Sequence, residues 1–305
     1  MDIKAIQELS KVISNCAYLY LKASLAPPNT LTGWSLDDRD PRVIAELLRL
    51  YGWFYRYYFR VKTDGWENIP KDQQVLLIGS HNGGLASPDM SMMVYDWFQR
   101  FGTERLTYAL MDSRAWRFLP GSARLATQVG AIQAHPRMAI AALNRGASLL
   151  IYPGGIRDVF RPYTLRNSIY FAGNRAFIKL ALRYELPIIP FICYGAHATL
   201  LVLGDVYPQL QQLEQWGLLN LTNLDLEVFP IYLGLPWGIG IGPLPNIPLP
   251  IQLHTRVCPP IVFAKYGEQA ARDQQYVNQC YDLVCQLMQQ QLDQLVREEE
   301  TKPKH

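Results

Sequence analysis

The sequence predicts an α/β domain with helices before and after it, and three observations carry that prediction. From Gln74 onward, short apolar runs alternate with helical stretches, which is the texture of βαβ units. Residues 3–25 and 268–298 instead repeat apolar positions near the helical period. The chain has 305 residues, of which 49% are hydrophobic and 18% charged. That share of apolar residues fills a core and excludes extended disorder or a coiled coil.

Composition also narrows the function. A net charge of +3, with no basic run interleaved with aromatics, argues against nucleic acid as a partner. The five cysteines, at 16, 193, 258, 280 and 285, form no CxxC and no His/Cys pair at zinc spacing, so they read as buried thiols in a reducing compartment. Lys4, Glu8, Lys11 and Lys22 interrupt any signal-peptide core. Residues 186–204 lack charge but read as a strand and a turn, because Pro187, Pro190, Gly195 and Gly204 interrupt them. Residues 229–251 are uncharged and hold six prolines and four glycines, so they read as an apolar surface loop rather than a transmembrane helix.

The first helix is marked by Ile3, Ile6, Leu9, Val12, Ile13, Cys16, Leu19 and Tyr20, and Pro27-Pro28-Asn29 ends it. After a polar linker (Ser35 to Asp40), a second helix runs from Pro41 to Phe59. Arg42, Arg49 and Arg56 recur every seven residues on one face of it, and Arg60 follows. Tyr51, Trp53, Phe54, Tyr55, Tyr57, Tyr58 and Phe59 surround them. Such a helix either lies in a bilayer interface or packs on the domain with its arginines reaching water. Strands are expected at Val75–Gly79, Leu106–Met111, Val129–Gln133, Ser148–Tyr152, Pro187–Tyr194, Leu226–Phe229 and Leu253–Cys258. Helices are expected at Asp89–Phe101, Met138–Asn144, with Gly146 beyond its end, and Ile169–Tyr184. A long helix over 268–298 with Val277, Cys280, Tyr281, Val284, Leu287, Met288 and Leu295 on one face precedes a charged tail. The chain divides into 1–65, 66–265 and 266–305.

Two glycine-rich turns carry the chemistry. Gly79-Ser80-His81-Asn82-Gly83-Gly84-Leu85-Ala86-Ser87-Pro88-Asp89 brings a histidine off a strand end into a loop. A helix then opens with Ser87 as N-cap and Pro88 at its first position. His81 at that edge suits a proton acceptor, Asp89 an orienting carboxylate, and the amides of Gly83 and Gly84 an oxyanion site. As a purely structural reading, His81 satisfies a core hydrogen bond and the glycines serve a tight turn. Pro153-Gly154-Gly155-Ile156-Arg157-Asp158, followed by Arg161, makes an anion or carbonyl site at a second strand end. Arg175 and Lys179, four apart, share a helical face that is either a basic rim or an ordinary solvated stripe.

In this order and separation, the pieces resemble the glycerolipid (lysophospholipid) acyltransferase superfamily over roughly Gln74 to Ala196. The resemblance implies a single acyltransferase domain, with a mostly parallel mixed sheet flanked by helices. His81 and Asp89 stand where its first motif lies, Gly154, Gly155 and Arg157 where its third lies, and Pro187 or Pro190 in its fourth. Its second motif falls loosely near Gly130–Arg137, making Arg137 a substrate contact. Seven residues separate His81 from Asp89, a longer spacing than the family's usual one, and Gly154-Gly155 replaces the Glu-Gly of phosphate-accepting members. Tyr152-Pro153-Gly154-Gly155-Ile156-Arg157-Asp158 looks closer to the branch of type 2 diacylglycerol acyltransferases and phytyl ester synthases.

The implied reaction is acyl transfer to a lipid hydroxyl (diacylglycerol, a phytol-like alcohol or a lysolipid), with His81 as general base. Acyl-CoA or acyl carrier protein is the donor, and no cofactor is implied. Arg157 would bind donor phosphate or acceptor head group, with Arg161, Arg175 and Lys179 as a secondary basic rim. A serine hydrolase is disfavoured because no GxSxG occurs, and Gly238–Gly242 is no dinucleotide loop because prolines surround it. The alternative is a membrane-associated lipid-binding protein with an inactive acyltransferase fold. In either case, the arginine helix and the 229–251 loop are expected to hold the chain peripherally on the cytoplasmic side of a membrane. Trp237, Tyr232, Trp53 and Phe54 supply the salt-resistant part. The opposing expectation is that both segments pack on the core and on each other. The oligomeric state is left open.

Overall fold

Strands of four to seven residues, apolar at nearly every position, form the centre of the molecule because both of their faces are buried. The computed structural model describes residues 3–220 and 225–302. The side chains of Ile3, Ile6 and Leu9 and the end of the charged tail (303–305) lie outside the described residues. Helices α1 (Ile3–Ser24) and α2 (Pro41–Trp53) lead into β1 (Lys62–Asp64) and β2 (Leu76–Gly79). Then come α3 (Pro88–Phe101), β3 (Thr107–Met111), α4 (Arg114–Phe118), α5 (Pro120–Val129), β4 (Ala131–Gln133), α6 (Pro136–Asn144) and β5 (Ser148–Ile151). Helices α7 (Gly155–Val159) and α8 (Ala176–Arg183) precede β6 (Ile188–Tyr194), β7 (Leu201–Asp205) and α9 (Tyr207–Gln215). The chain closes with β8 (Pro230–Gly234), β9 (Gly238–Ile241), β10 (His254–Val257), α10 (Glu268–Arg272) and α11 (Gln274–Glu300).

Seven strands form one sheet in the order β1-β10-β6-β2-β5-β3-β4, parallel throughout except where β10 meets β6. Alternation along β2 divides the core. Leu76 and Ile78 face a cluster with Met138, Phe177, Val284 and Leu295, whereas Val75 and Leu77 face Met93, Trp97 and Phe98. The fold is α/β, a mostly parallel mixed sheet with helices on both faces. Among the described residues, no helix is long and apolar enough to cross a membrane.

Several expectations shift. The helix expected over Ile169–Tyr184 begins only at Ala176, because Ala172 and Gly173 take left-handed backbone conformations, with φ of 51° and 74°. No strand forms over Leu226–Phe229. The strand starts at Pro230 and belongs to a separate antiparallel sheet, β7-β8-β9, so the expected 229–251 loop is largely a hairpin and a following strap. Tyr232, expected to touch lipid, is fully buried beneath that sheet. Residues Phe54–Tyr58 continue α2 as a π-turn, and much of their aromatic surface is absorbed by the domain. Tyr55 donates to Asp96 (2.8 Å), Tyr58 to the carbonyl of Pro248 (2.7 Å), and Phe59 is buried. Arg42, Arg49 and Arg56 point to solvent, as their spacing predicts.

Candidate active site

The two glycine-rich turns meet because β2 and β5 are parallel neighbours, with Ile78 opposite Ile151 near their carboxyl ends. On the other side of β2, β6 delivers the Gly195–Thr199 turn to the same end. Open α/β sheets hold ligands at this kind of edge. At Gly79, a Cβ atom would meet the rings of Phe191 at 2.4 Å and Tyr152 at 2.7 Å, so glycine lets both rings close over the strand end. The imidazole of His81 stacks on Tyr152, with centroids 3.9 Å apart and planes at 15°.

His81 Nδ1 is sealed from solvent and lies 4.0 Å from Asp89 Oδ2, just beyond hydrogen-bonding distance. The His81 side chain keeps 15% exposure, and Asp89 keeps 2%. Asn82 sits between the two motif residues and donates to the carbonyl of Ser80 (2.7 Å) and to Asp89 Oδ2 (3.3 Å). Burial, helped by the nearby Arg161 guanidinium, lowers the His81 pKa to about 3, so the ring is neutral at physiological pH. Burial raises the Asp89 carboxyl to about 7, against hydrogen bonds from Asn82 and the Met90 amide. The result is a neutral imidazole beside a carboxyl that ionises near neutrality.

Asp158 and Arg161 build the floor. The fully buried Asp158 carboxylate accepts from Ser80 Oγ (2.9 and 3.1 Å), the His81 amide (2.5 Å) and Arg161 Nη1 (2.7 Å). Arg161 also donates to the carbonyl of His81 (2.6 Å), to Asn82 Oδ1 (2.5 Å), and to the carbonyls of Leu165 (3.0 Å) and Arg166 (3.1 Å). Every arm of this guanidinium is therefore engaged.

The opposite wall is the Gly83-Gly84 turn, with φ of 76° and 71°. A Cβ at Gly83 would meet Thr199 Oγ1 at 2.5 Å, and one at Gly84 would meet Asn246 Oδ1 at 2.5 Å. Asn246 donates to the carbonyl of Gly83 (3.0 Å) and accepts from the Ala86 amide (3.2 Å), pinning the loop from the distant strap. Pro88 opens α3 as expected, but the Ser87 hydroxyl donates to the carbonyl of Gly84 (3.1 Å) instead of capping the helix.

The remaining sequence-derived residues scatter. Gly154 lies against Asp158, where a Cβ would come within 2.5 Å of the Asp158 Cβ, and Gly155 opens α7 at φ 54°. Arg157 projects from α7, half-exposed, with Nε 3.5 Å from Glu227. The expected basic rim is not assembled, because Arg161 is 4% exposed and wholly engaged within the floor. Arg175 precedes α8 rather than sharing a face with Lys179, and its guanidinium lies over the Tyr281 ring at 4.9 Å, while Lys179 is exposed. Arg137 starts α6 after β4, three strand spacings from β2, or about 14 Å across the sheet. Sequence reasoning assigned no role to Asn82, Tyr152, Asp158 or Asn246. The first three adjoin the motif residues in sequence, so a helix-turn spacing from Asp158 to Arg161 was the available signal. Asn246 had none.

No family model matches the chain. An uncharacterised protein of Mycobacterium tuberculosis is 28% identical over 272 residues, covering 87% of this chain and 71% of that protein. Another uncharacterised protein, from Mycobacterium leprae, is 24% identical over 280 residues, covering 91% and 71%. Among solved structures, the 1-acyl-sn-glycerophosphate (LPA) acyltransferase PlsC from Thermotoga maritima is similar at a TM-score of 0.45 and 13% identity, covering 98% of this chain and 96% of that one.

Proposed function

We propose that this protein is an acyltransferase of the glycerolipid type. It would move an acyl group from a thioester, acyl-CoA or acyl carrier protein, to the hydroxyl of a lipid alcohol. The observation that carries the reading is His81, neutral and stacked at a strand end, with Nδ1 turned to Asp89 at 4.0 Å. With Nδ1 buried and turned towards Asp89, Nε2 is the nitrogen left to take the hydroxyl proton. The alkoxide oxygen attacks the thioester carbonyl, the C–S bond breaks, and the imidazolium returns its proton to the leaving thiolate. No acceptor among the described residues takes the amides of Gly83 and Gly84, which suits them to the tetrahedral oxyanion. Arg157, outside the buried floor, suits the phosphates of a CoA donor or an acidic carrier protein.

Gly154-Gly155 in place of an acidic residue supports an uncharged lipid alcohol such as diacylglycerol or a phytol-like alcohol over a lysophosphatidate. An acceptor of that kind resides in a bilayer, so the enzyme would work peripherally at a membrane surface, on the cytoplasmic side. Thiol release from acyl-CoA with dispersed diacylglycerol tests the reading. Wild type releases thiol only with acceptor present, and His81→Ala loses ~10²–10⁴-fold with its melting temperature retained. A folded His81→Ala variant with near-normal turnover would overturn the assignment. Lipid binding by wild type without release from either donor would favour the inactive lipid-binding alternative.

A further inference from the structure

The β7-β8-β9 sheet turns its two faces to different surroundings. Its inner face carries Val202 and Tyr232, buried with Phe160 and Leu200. Alternate residues point the other way, and they are apolar too. Across β8 and β9, Leu233 pairs with Ile239 and Ile231 with Ile241. Ile239 is 67% exposed and Ile241 55%, and Leu235 and Trp237 at the hairpin tip are about equally open, at 48% and 51%. From Val228 to Leu253 the chain has no charged residue. An antiparallel sheet with one face in water normally alternates apolar inside with polar outside. This one is apolar on both faces, and β9 is also an open edge strand.

Three observations point to what covers it. The surface is built rather than loose: Trp237 Nε1 donates to the carbonyl of Pro245 (2.7 Å), and Gly240 leaves room for the Tyr232 ring, which a Cβ would meet at 2.2 Å. The strap leaving this sheet runs to positive charge. Arg60 donates to the carbonyl of Pro250 (3.1 Å), and Arg56 and Tyr57 beside it are exposed. Arginine and aromatic side chains along the strap that leaves an apolar face match anionic headgroups above acyl chains. The same strap also supplies Asn246, which pins Gly83 and Ala86, so whatever covers the sheet adjoins the loop that carries His81.

We propose that the outward face of the β7-β8-β9 sheet docks on an anionic lipid bilayer and sets the His81 loop at the membrane surface. Choosing a bilayer over a protein partner rests on the lipid-alcohol reading above. Binding is measured without turnover, so either reading fails independently of the other.

Flotation of the full chain with vesicles of phosphatidylcholine containing a quarter phosphatidylglycerol tests this. Wild type floats at low salt and, more weakly, at high salt, and its tryptophan emission shifts to the blue. Ile239→Asn combined with Ile241→Asn lowers vesicle partition about tenfold or more, most clearly at high salt. Gel filtration and circular dichroism check that this variant is folded. Should the pair unfold, Leu235→Ser at the hairpin tip lowers partition in the same direction without altering a strand. The proposal is overturned if wild type stays unbound to these vesicles, or if a folded variant floats as wild type does. It is equally overturned if wild type is a dimer that the double variant splits without lipid, since a second copy would then cover the face.

Discussion

The two sheets treat buried and exposed surface in opposite ways. At the carboxyl end of β2, polar side chains are buried and tied together: Ser80, Asn82, Asp89, Asp158 and Arg161 are all at most 7% exposed. On the β7-β8-β9 sheet, large apolar side chains stand in the open, with Ile239 and Ile241 more than half exposed. Each region departs from the ordinary partition of residues between core and water. In the first, the cost of burying charge is offset by a nearly complete set of hydrogen bonds, which fixes the backbone around His81. In the second, no partner among the described residues offsets the exposure, and the bilayer docking proposed above would supply the compensation. The departures adjoin one another through Asn246, which links the strap to the loop that carries His81.

The largest test of this contrast is Arg161→Leu. It strands the Asp158 carboxylate without its cation and should cost ~3–5 kcal/mol of stability. Urea denaturation measures it directly, and a loss below ~0.5 kcal/mol would mean the floor is not held by this pair. A smaller effect is expected beneath the second sheet. Gly240→Ala drives a methyl group into the Tyr232 ring and should cost ~1–3 kcal/mol. An unchanged unfolding midpoint would show that the sheet yields easily and is not a built surface.

The smallest effect concerns Asp89, whose buried carboxyl is raised to about 7. Below that pH it is protonated and orients the imidazole poorly, so turnover should climb as pH rises through about 7. Because His81 is held well below this range, it contributes no limb of its own there. Asp89→Asn should flatten the profile and lower the plateau ~10-fold, a loss of about 1.4 kcal/mol. The linkage to stability has the opposite sign. A raised folded-state pKa favours folding fully below the ordinary carboxylate range near 4, and that contribution is lost as pH rises through about 7. Asp89→Asn should therefore remove a pH dependence of stability as well. A profile that keeps its rising limb in the variant would assign that limb to another group.

The central strands were legible because a strand buried on both faces is an unbroken apolar run, and β2, β3, β5 and β6 lie within a residue or two of where such runs predict them. The glycine turns with His81, Asp89 and Arg157 were legible because glycine, proline and short polar residues mark strand ends locally. The hairpin of β8 and β9 was misread for a related reason. Its prolines and glycines signal a loop, yet Pro230 sits at the first position of a strand and Gly240 makes room for Tyr232. Helices α4 and α5 and strands β1, β7 and β9 were missed because short elements leave little periodicity to read.

By itself, the sequence determined the α/β alternation, the helical ends of the chain and the residues at the two glycine-rich turns. These depend on period, capping and turn chemistry, which act over a few residues. Tertiary structure alone decided which arginine is buried and which is exposed, and it alone brought Asn246 to Gly83. It also turned one apolar face of the second sheet inward and the other outward. The reason is the range of the contacts: Ser80 meets Asp158 across 78 residues, His81 meets Arg161 across 80, and Gly83 meets Asn246 across 163. Burial, and with it the protonation of His81 and Asp89, follows from those distant partners and from no local pattern.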